Sequence, residues 1–256
     1  MMAFARWLLL GLMGSAALAA TEDLRVELVR DIAPGPAGSQ IDRITVTGGD
    51  RAWFRAFDGQ RWRLWTSDGT PDGTQPITVG NADAIVSFGQ VFEPLSGGRL
   101  VFEATTADEG SELWVSDGTA EGTQMIRDMT PGSGSTAFTA AGGAGGLVYL
   151  FRPGTGLFGN ELWVTDGTDD GTRRIAQGFG RSAEAGNFSR LGDVFVFSAN
   201  DGTNGLELWL STGLASGTGM LRDLAPGPEG SSPRMLTPGA GFVFFTADDG
   251  SHGREP

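Results

Sequence analysis

The side chains that could do chemistry in this sequence are mostly oxygen donors. Asp201, Asn204 and Glu207 stand three residues apart, and Asp108, Glu109 and Glu112 form a similar set. Asp248, Asp249 and Glu255 repeat the theme. Hard oxygen ligands at close spacing suit calcium. The spacing is not that of an EF-hand, so the competing reading is a solvated turn. Carboxylates at Glu103, Glu112, Glu161 and Glu207 could in principle pair for glycoside hydrolysis. Their recurrence along the chain spreads them over equivalent positions, and salt bridging to arginine is the simpler expectation. Arg51, Arg55, Arg61 and Arg63 interleave with Trp53, Phe54 and Trp62. Such a stretch could grip a carboxylate or sulfate on a glycan, or stack on its own aromatic neighbours.

Other chemistry is excluded by what is missing. There is no Cys, which removes thiol catalysis, disulfides and thiolate metal sites. His252 is the only histidine, which argues against a histidine triad or proton shuttle. All basic residues are Arg, so neither a Schiff-base lysine nor a phosphate-loop lysine exists. No catalytic or cofactor-binding residue is expected, and calcium is the one cofactor the donor sets allow. The formal charge of −13 repels nucleic acid and anionic lipid.

These residues must be positioned by a repeat. Trp65, Trp114, Trp163 and Trp209 are spaced 49, 49 and 46 residues apart. Each sits in a copy of one motif: Arg63–Thr70, Glu112–Thr119, Glu161–Thr168 and the weaker Glu207–Leu214. The copies contain Asp68-Gly69-Thr70, Asp117-Gly118-Thr119 and Asp166-Gly167-Thr168, and each continues into a second Gly-Thr, as at Gly73-Thr74 and Gly122-Thr123. Aspartate accepting backbone N–H groups and glycine taking a positive φ make these structural turns. A second block, Arg-Asp-x-x-Pro-Gly, begins at Arg30, Arg127 and Arg222 and is lost near Thr78 and Ala176.

Each period holds four short apolar runs divided by Gly-rich turns, and no helical period follows the leader. In Leu113-Trp114-Val115 both sides of the strand are apolar, as a sheet sandwiched between two neighbours requires. The reading is an all-β, β-propeller-like array of four-stranded antiparallel blades, about five with the last incomplete. Blades are expected near 41–80, 86–130, 137–178, 187–225 and 234–256, with a lone fourth strand at 24–32 that could pair with the incomplete blade and close a ring. The four tryptophans are assigned to the core.

The segments Glu112–Thr119 and Glu161–Thr168 resemble the bacterial ELWxxDGT repeat family. The resemblance covers nearly all of the chain after the leader and implies export and a propeller-like β structure, with no general enzymatic activity. Arg63 replaces the glutamate in the first copy, and Thr212-Gly213-Leu214 replaces Asp-Gly-Thr in the fourth.

Residues 1–19 read as a signal peptide. Arg6 precedes an apolar run from Trp7 to Ala16, and Ala17-Leu18-Ala19 fits a cleavage site. Its loss would take −13 to −14 by removing Arg6. The expected protein is secreted, periplasmic or on the cell surface, without membrane insertion after signal removal, and a fragment of a longer reading frame. Its expected role is a non-catalytic scaffold for binding, adhesion or surface assembly, with a cell-surface protein or a glycan as partner and no nucleic acid. The alternatives are a glycan-active propeller enzyme of sialidase or lyase type, and a calcium-stabilised module of a larger surface protein.

Overall fold

The computed structural model describes residues 27–48, 51–77, 85–154, 157–180 and 187–256. The leader at 1–19 lies outside the described residues. The described residues form five separate antiparallel sheets in which strands follow one another in sequence order. Blade 1 comprises β1 (Asp42–Thr47), β2 (Arg51–Phe57), β3 (Trp62–Ser67) and β4 (Gln75–Pro76). Blade 2 comprises β5 (Ile85–Leu95), β6 (Arg99–Thr106), β7 (Gly110–Ser116) and β8 (Gln124–Arg127). Blade 3 comprises β9 (Ala140–Ala144), β10 (Leu147–Arg152), β11 (Asn160–Thr165) and β12 (Arg173–Phe179). Blade 4 comprises β13 (Phe188–Leu191), β14 (Val194–Asn200), β15 (Leu206–Ser211) and β16 (Thr218–Arg222). Blade 5 has three strands, β17 (Arg234–Pro238), β18 (Val243–Asp248) and β19 (Arg254–Glu255).

The core is a series of layers between successive blades. Alternation along each strand sends one set of side chains to the preceding blade and the other to the next. Leu100, Phe102 and Ala104 of β6 join Trp53, Leu64 and Trp114 between blades 1 and 2. Val101 of the same strand joins Leu113, Val115, Val148 and Leu150 between blades 2 and 3. Between blades 3 and 4, Tyr149 stacks on Phe195 at 4.3 Å. Each fully buried leucine or phenylalanine contributes roughly 1.5–3 kcal/mol, which suits a chain without disulfides.

Trp65 and Trp114 are buried, and Trp163 and Trp209 are half-buried and packed against the inter-blade clusters. Trp163 Nε1 donates to Glu161 at 2.8 Å, and Arg152 lies 6.0 Å over the ring. Trp209 and Phe179 meet in a T-shaped contact at 5.2 Å. One expectation, the lone fourth strand, is corrected. Residues 24–26 lie outside the described residues, and 27–32 have no strand conformation. They pair with no sheet, and blade 5 keeps three strands. Large apolar side chains are exposed at both ends of the array: Leu28 is 71% exposed and Ile44 59% at one end, and Phe244 61% at the other.

Candidate functional site

The Asp-Gly-Thr turns superpose in their bonding. Asp117 Oδ1 accepts from Thr119 N at 2.9 Å and Thr119 Oγ1 at 2.8 Å. Asp68 and Asp166 do the same with Thr70 and Thr168. The Thr119 hydroxyl and amide hold the Asp117 carboxyl below its ordinary pKa. Gly118 sits at φ 95°, and a Cβ there would collide with Arg51, whose guanidinium donates to Asp117 O of the next blade at 2.5 Å. The second glycine is also a steric requirement, because a Cβ on Gly122 would overlap the Asp117 carboxylate. In blade 4 the turn survives without its aspartate. Ser211 Oγ meets Thr218 Oγ1 at 2.7 Å, as Ser116 meets Thr123 at 2.6 Å, and Gly213 N still donates to Ser211 Oγ. The hydroxyl pair is the shared element, and Asp68, Asp117 and Asp166 are internal acceptors.

The expected calcium sets do not assemble. Asp201 accepts from Thr203 N, Asn204 N and Asn204 Nδ2, all at 2.9 Å, closing a turn on itself. Partial burial works against its charge, but these amides outweigh it and hold its pKa below the usual value. Glu207 is fully buried and points into the loop that leaves β16, where it accepts from Leu224 N, Ala225 N, Ser231 N and Ser231 Oγ at 2.6–3.3 Å. Glu112 is likewise fully buried and accepts from Met129 N at 3.2 Å and Thr136 Oγ1 at 3.0 Å. Burial pushes its pKa up, and the Met129 and Thr136 bonds offset part of that rise. Asp108 and Glu109 stay on the turn before β7, apart from that buried carboxylate. Among the described residues no group of three His, Cys, Asp or Glu side chains converges to hold a metal.

Among the described residues the salt-bridge reading of the recurring glutamates holds only in blade 3. There Glu161 meets Arg174 at 2.6 Å and Arg152 at 3.5 Å. Burial works against its charge, but the Trp163 indole and Arg174 prevail and hold its pKa below the usual range. Glu103 fills the bulge in β5, accepting from Gln90 N at 2.8 Å, and also accepts from Ser111 Oγ at 2.9 Å. The arginine stretch is consumed internally as well. Arg55 forms a fork on Asp42 at 2.7 and 2.6 Å, Arg63 meets Asp58 at 2.5 Å, and Arg51 lies 5.9 Å over Trp53.

A different set of residues lines a cavity of about 580 Å³ on the inner side of blades 2 to 5. It is formed by the first strands and first turns of those blades. Glu93, Ser96, Ser189, Arg190 and Asp193 supply its polar side chains, and Gly142 and Gly143 of β9 open one wall. Glu93 shares a face of β5 with Val91 and Leu95, both packed toward blade 3. Burial raises its pKa to about 7, against a smaller opposing pull from Arg43. None of these groups recurs from blade to blade, so a search for repeated residues passes over them. The signal that could have found them is a glutamate on the apolar side of a strand and the run Ala140–Ala144, which has no side chain beyond a methyl.

Radially stacked four-stranded sheets whose first strands line a cavity define a β-propeller array. No family model and no curated protein matches the chain. Among solved structures, puromycin hydrolase aligns with 88% of this chain and 36% of its own length, at 13% identity and a TM-score of 0.53. The chain is similar at lower TM-scores to the acylaminoacyl peptidase of Pyrococcus horikoshii (73% of this chain, 28% of that one, 16% identity, 0.45). A chain of the nidogen/laminin complex aligns over 82% of this chain and 73% of its own, at 12% identity and 0.44. This chain therefore spans about a third of the hydrolase it matches. The likeness is one of fold. It corrects the expectation that the chain is not an enzyme, because the same array is carried by an enzyme with a propeller domain. Blade repetition is no mark of a chain without catalysis.

Proposed function

We propose that this chain is an exported propeller of the ELWxxDGT repeat type that binds a protein or glycan segment in its inner cavity, as a scaffold at the cell surface. The supporting observation is the cavity of about 580 Å³, where Glu93, Ser189, Arg190 and Asp193 gather beside a wall opened by glycine. Elsewhere the conspicuous polar side chains are committed to turns and loops of the array itself. A concave site with a few dissimilar polar groups on an otherwise repetitive frame is where ligand recognition is expected. The leader and the motif resemblance support export.

Amide chemical-shift mapping with neutral and acidic oligosaccharides and with extended peptides tests the reading. Ligand-induced shifts should cluster at Gly142, Gly143, Arg190 and Asp193. The substitution Gly143→Val, whose Cβ has ordinary contact distances, should block binding without unfolding blade 3. Binding that survives Gly143→Val and maps to the outer strands would reject it.

A second reading is favoured by Glu93. A carboxyl with a pKa of about 7 can hold a proton at neutral pH, and Asp193 lines the same cavity. That pair suits a glycan-active enzyme with a general acid. Oligosaccharide turnover that Glu93→Gln abolishes would favour it over binding alone, and the absence of any turnover would reject it.

A further inference from the structure

The loop opening the described chain repeats the loop that clamps Glu207. Gly35 and Gly227 both have φ 121°, Gly38 and Gly230 have 66° and 65°, Gln40 and Ser232 have 47° and 48°, and Arg43 and Met235 have 51° and 58°. Two of these pairs place non-glycine residues in the left-handed region, which side chains rarely enter. Other bonds agree as well. Ser39 O accepts Phe57 N at 2.8 Å, as Ser231 O accepts Asp248 N at 2.9 Å. Arg30 donates to Thr74 O, as Arg127 donates to Thr172 O.

In the later copy this loop is built around a carboxylate, with donors at Leu224 N, Ala225 N, Ser231 N and Ser231 Oγ. The corresponding donors are Ile32 N, Ala33 N, Ser39 N and Ser39 Oγ. Among the described residues no carboxylate reaches them. The apolar half of the arrangement is vacated in the same way. Leu208, next to Glu207, packs on Leu236, which is buried. The counterpart of Leu236 is Ile44, which is 59% exposed. Ile44 lines a cavity of about 190 Å³ with Leu28, Val29, Ile32, Ile41 and Phe54. Residues 27–32 run along this cavity unpaired, whereas their counterparts in β8 and β16 pair with the glutamate-bearing β7 and β15.

We propose that this end face is a receptor for an extended Glu-Leu-Trp segment carried by a blade of the same repeat beyond the five described. Its glutamate occupies the nest of Ile32, Ala33 and Ser39, its leucine covers Ile44, and its backbone pairs with residues 27–32. β7, β11 and β15 are each paired on both sides. β19 has a free edge and carries Glu255, but Pro256 follows it in place of Leu-Trp, so it does not present the segment.

Amide hydrogen exchange read residue by residue tests this with a synthetic peptide of the sequence 110–116 (Gly-Ser-Glu-Leu-Trp-Val-Ser) added to the full chain. The amides of Ile32, Ala33 and Ser39 should exchange at least about tenfold more slowly with peptide, while Leu224, Ala225 and Ser231 stay protected throughout as an internal reference. A peptide carrying Glu112→Gln should bind at least about tenfold more weakly, given the charged hydrogen bonds lost. Ile44→Lys, at an exposed position, should weaken binding by a similar factor. Unchanged exchange at millimolar peptide would overturn the proposal, as would equal binding of the glutamine peptide. Equal protection by sodium acetate would overturn it by showing that a bare carboxylate suffices. Protection that appears without peptide and rises with protein concentration would overturn it in favour of Glu255 of a second copy.

Discussion

Glu207 and Glu161 occupy the same motif position in different surroundings, and replacing each by alanine should separate their roles. In Glu207→Ala, three backbone amides and the Ser231 hydroxyl lose their acceptor in a place where Ser231 is itself fully buried. Each unmet buried donor costs about 1–3 kcal/mol. Water entry and relief of the cost of burying the carboxyl group offset part of the sum, so the net loss should be about 3–5 kcal/mol. Glu161→Ala removes two arginine contacts at the edge and one indole bond, and should cost about 1 kcal/mol or less. Urea unfolding reads the difference. With an m-value of about 2–3 kcal/mol/M, the Glu207→Ala midpoint should fall by about 1–2.5 M, and that of Glu161→Ala by less than about 0.5 M. The loop from Asp223 to Ser231 should lose exchange protection in the first variant only. Equal midpoint shifts, or a Glu207→Ala protein whose loop stays protected, would refute the claim that this carboxylate organises the loop.

Gly122→Ala should destabilise blade 2 by about 1–3 kcal/mol in chemical denaturation, because the new methyl meets the Asp117 carboxylate. The same change in an Asp117→Ala background should cost much less, and equal costs in both backgrounds would reject the clash. Glu93 should make the protein less stable as pH rises from about 4.5 to 7. Its folded pKa is raised to about 7, so across that window the native chain keeps a proton the unfolded chain has released. Glu93→Gln should flatten melting temperature against pH in that interval and exceed the parent at pH 8; parallel curves would reject the assignment. Millimolar calcium should leave the melting temperature unchanged, since the oxygens of Asp201 and Glu207 are engaged by the chain's own donors. A saturable upward shift would show a site these bonds do not preclude.

What was legible in the sequence is what the array repeats. The tryptophan period, the Asp-Gly-Thr turns and strands apolar on both sides are local patterns, and each needs only nearby residues to take effect. Glu112 is different, because its donors lie 17 to 24 residues away on backbone atoms and a hydroxyl, which side-chain chemistry alone does not reveal. A signal existed nonetheless. Blades 2 and 4 carry both the glutamate and a following Arg-Asp-x-x-Pro-Gly block. Blade 1 has Arg63 and no such block, and blade 3 has Glu161 and no such block. Carboxylate and loop travel together where the bond exists, and Glu161 without a loop turns outward to arginine. The inner cavity was illegible for the opposite reason. Its polar groups come from first strands and first turns that differ in every blade, so repetition hides them. Residues that recur build the frame, because each blade must solve the same packing problem against its neighbours. Recognition of a ligand needs one arrangement rather than five, so the polar residues to test for it are those that occur once, on the strands nearest the axis.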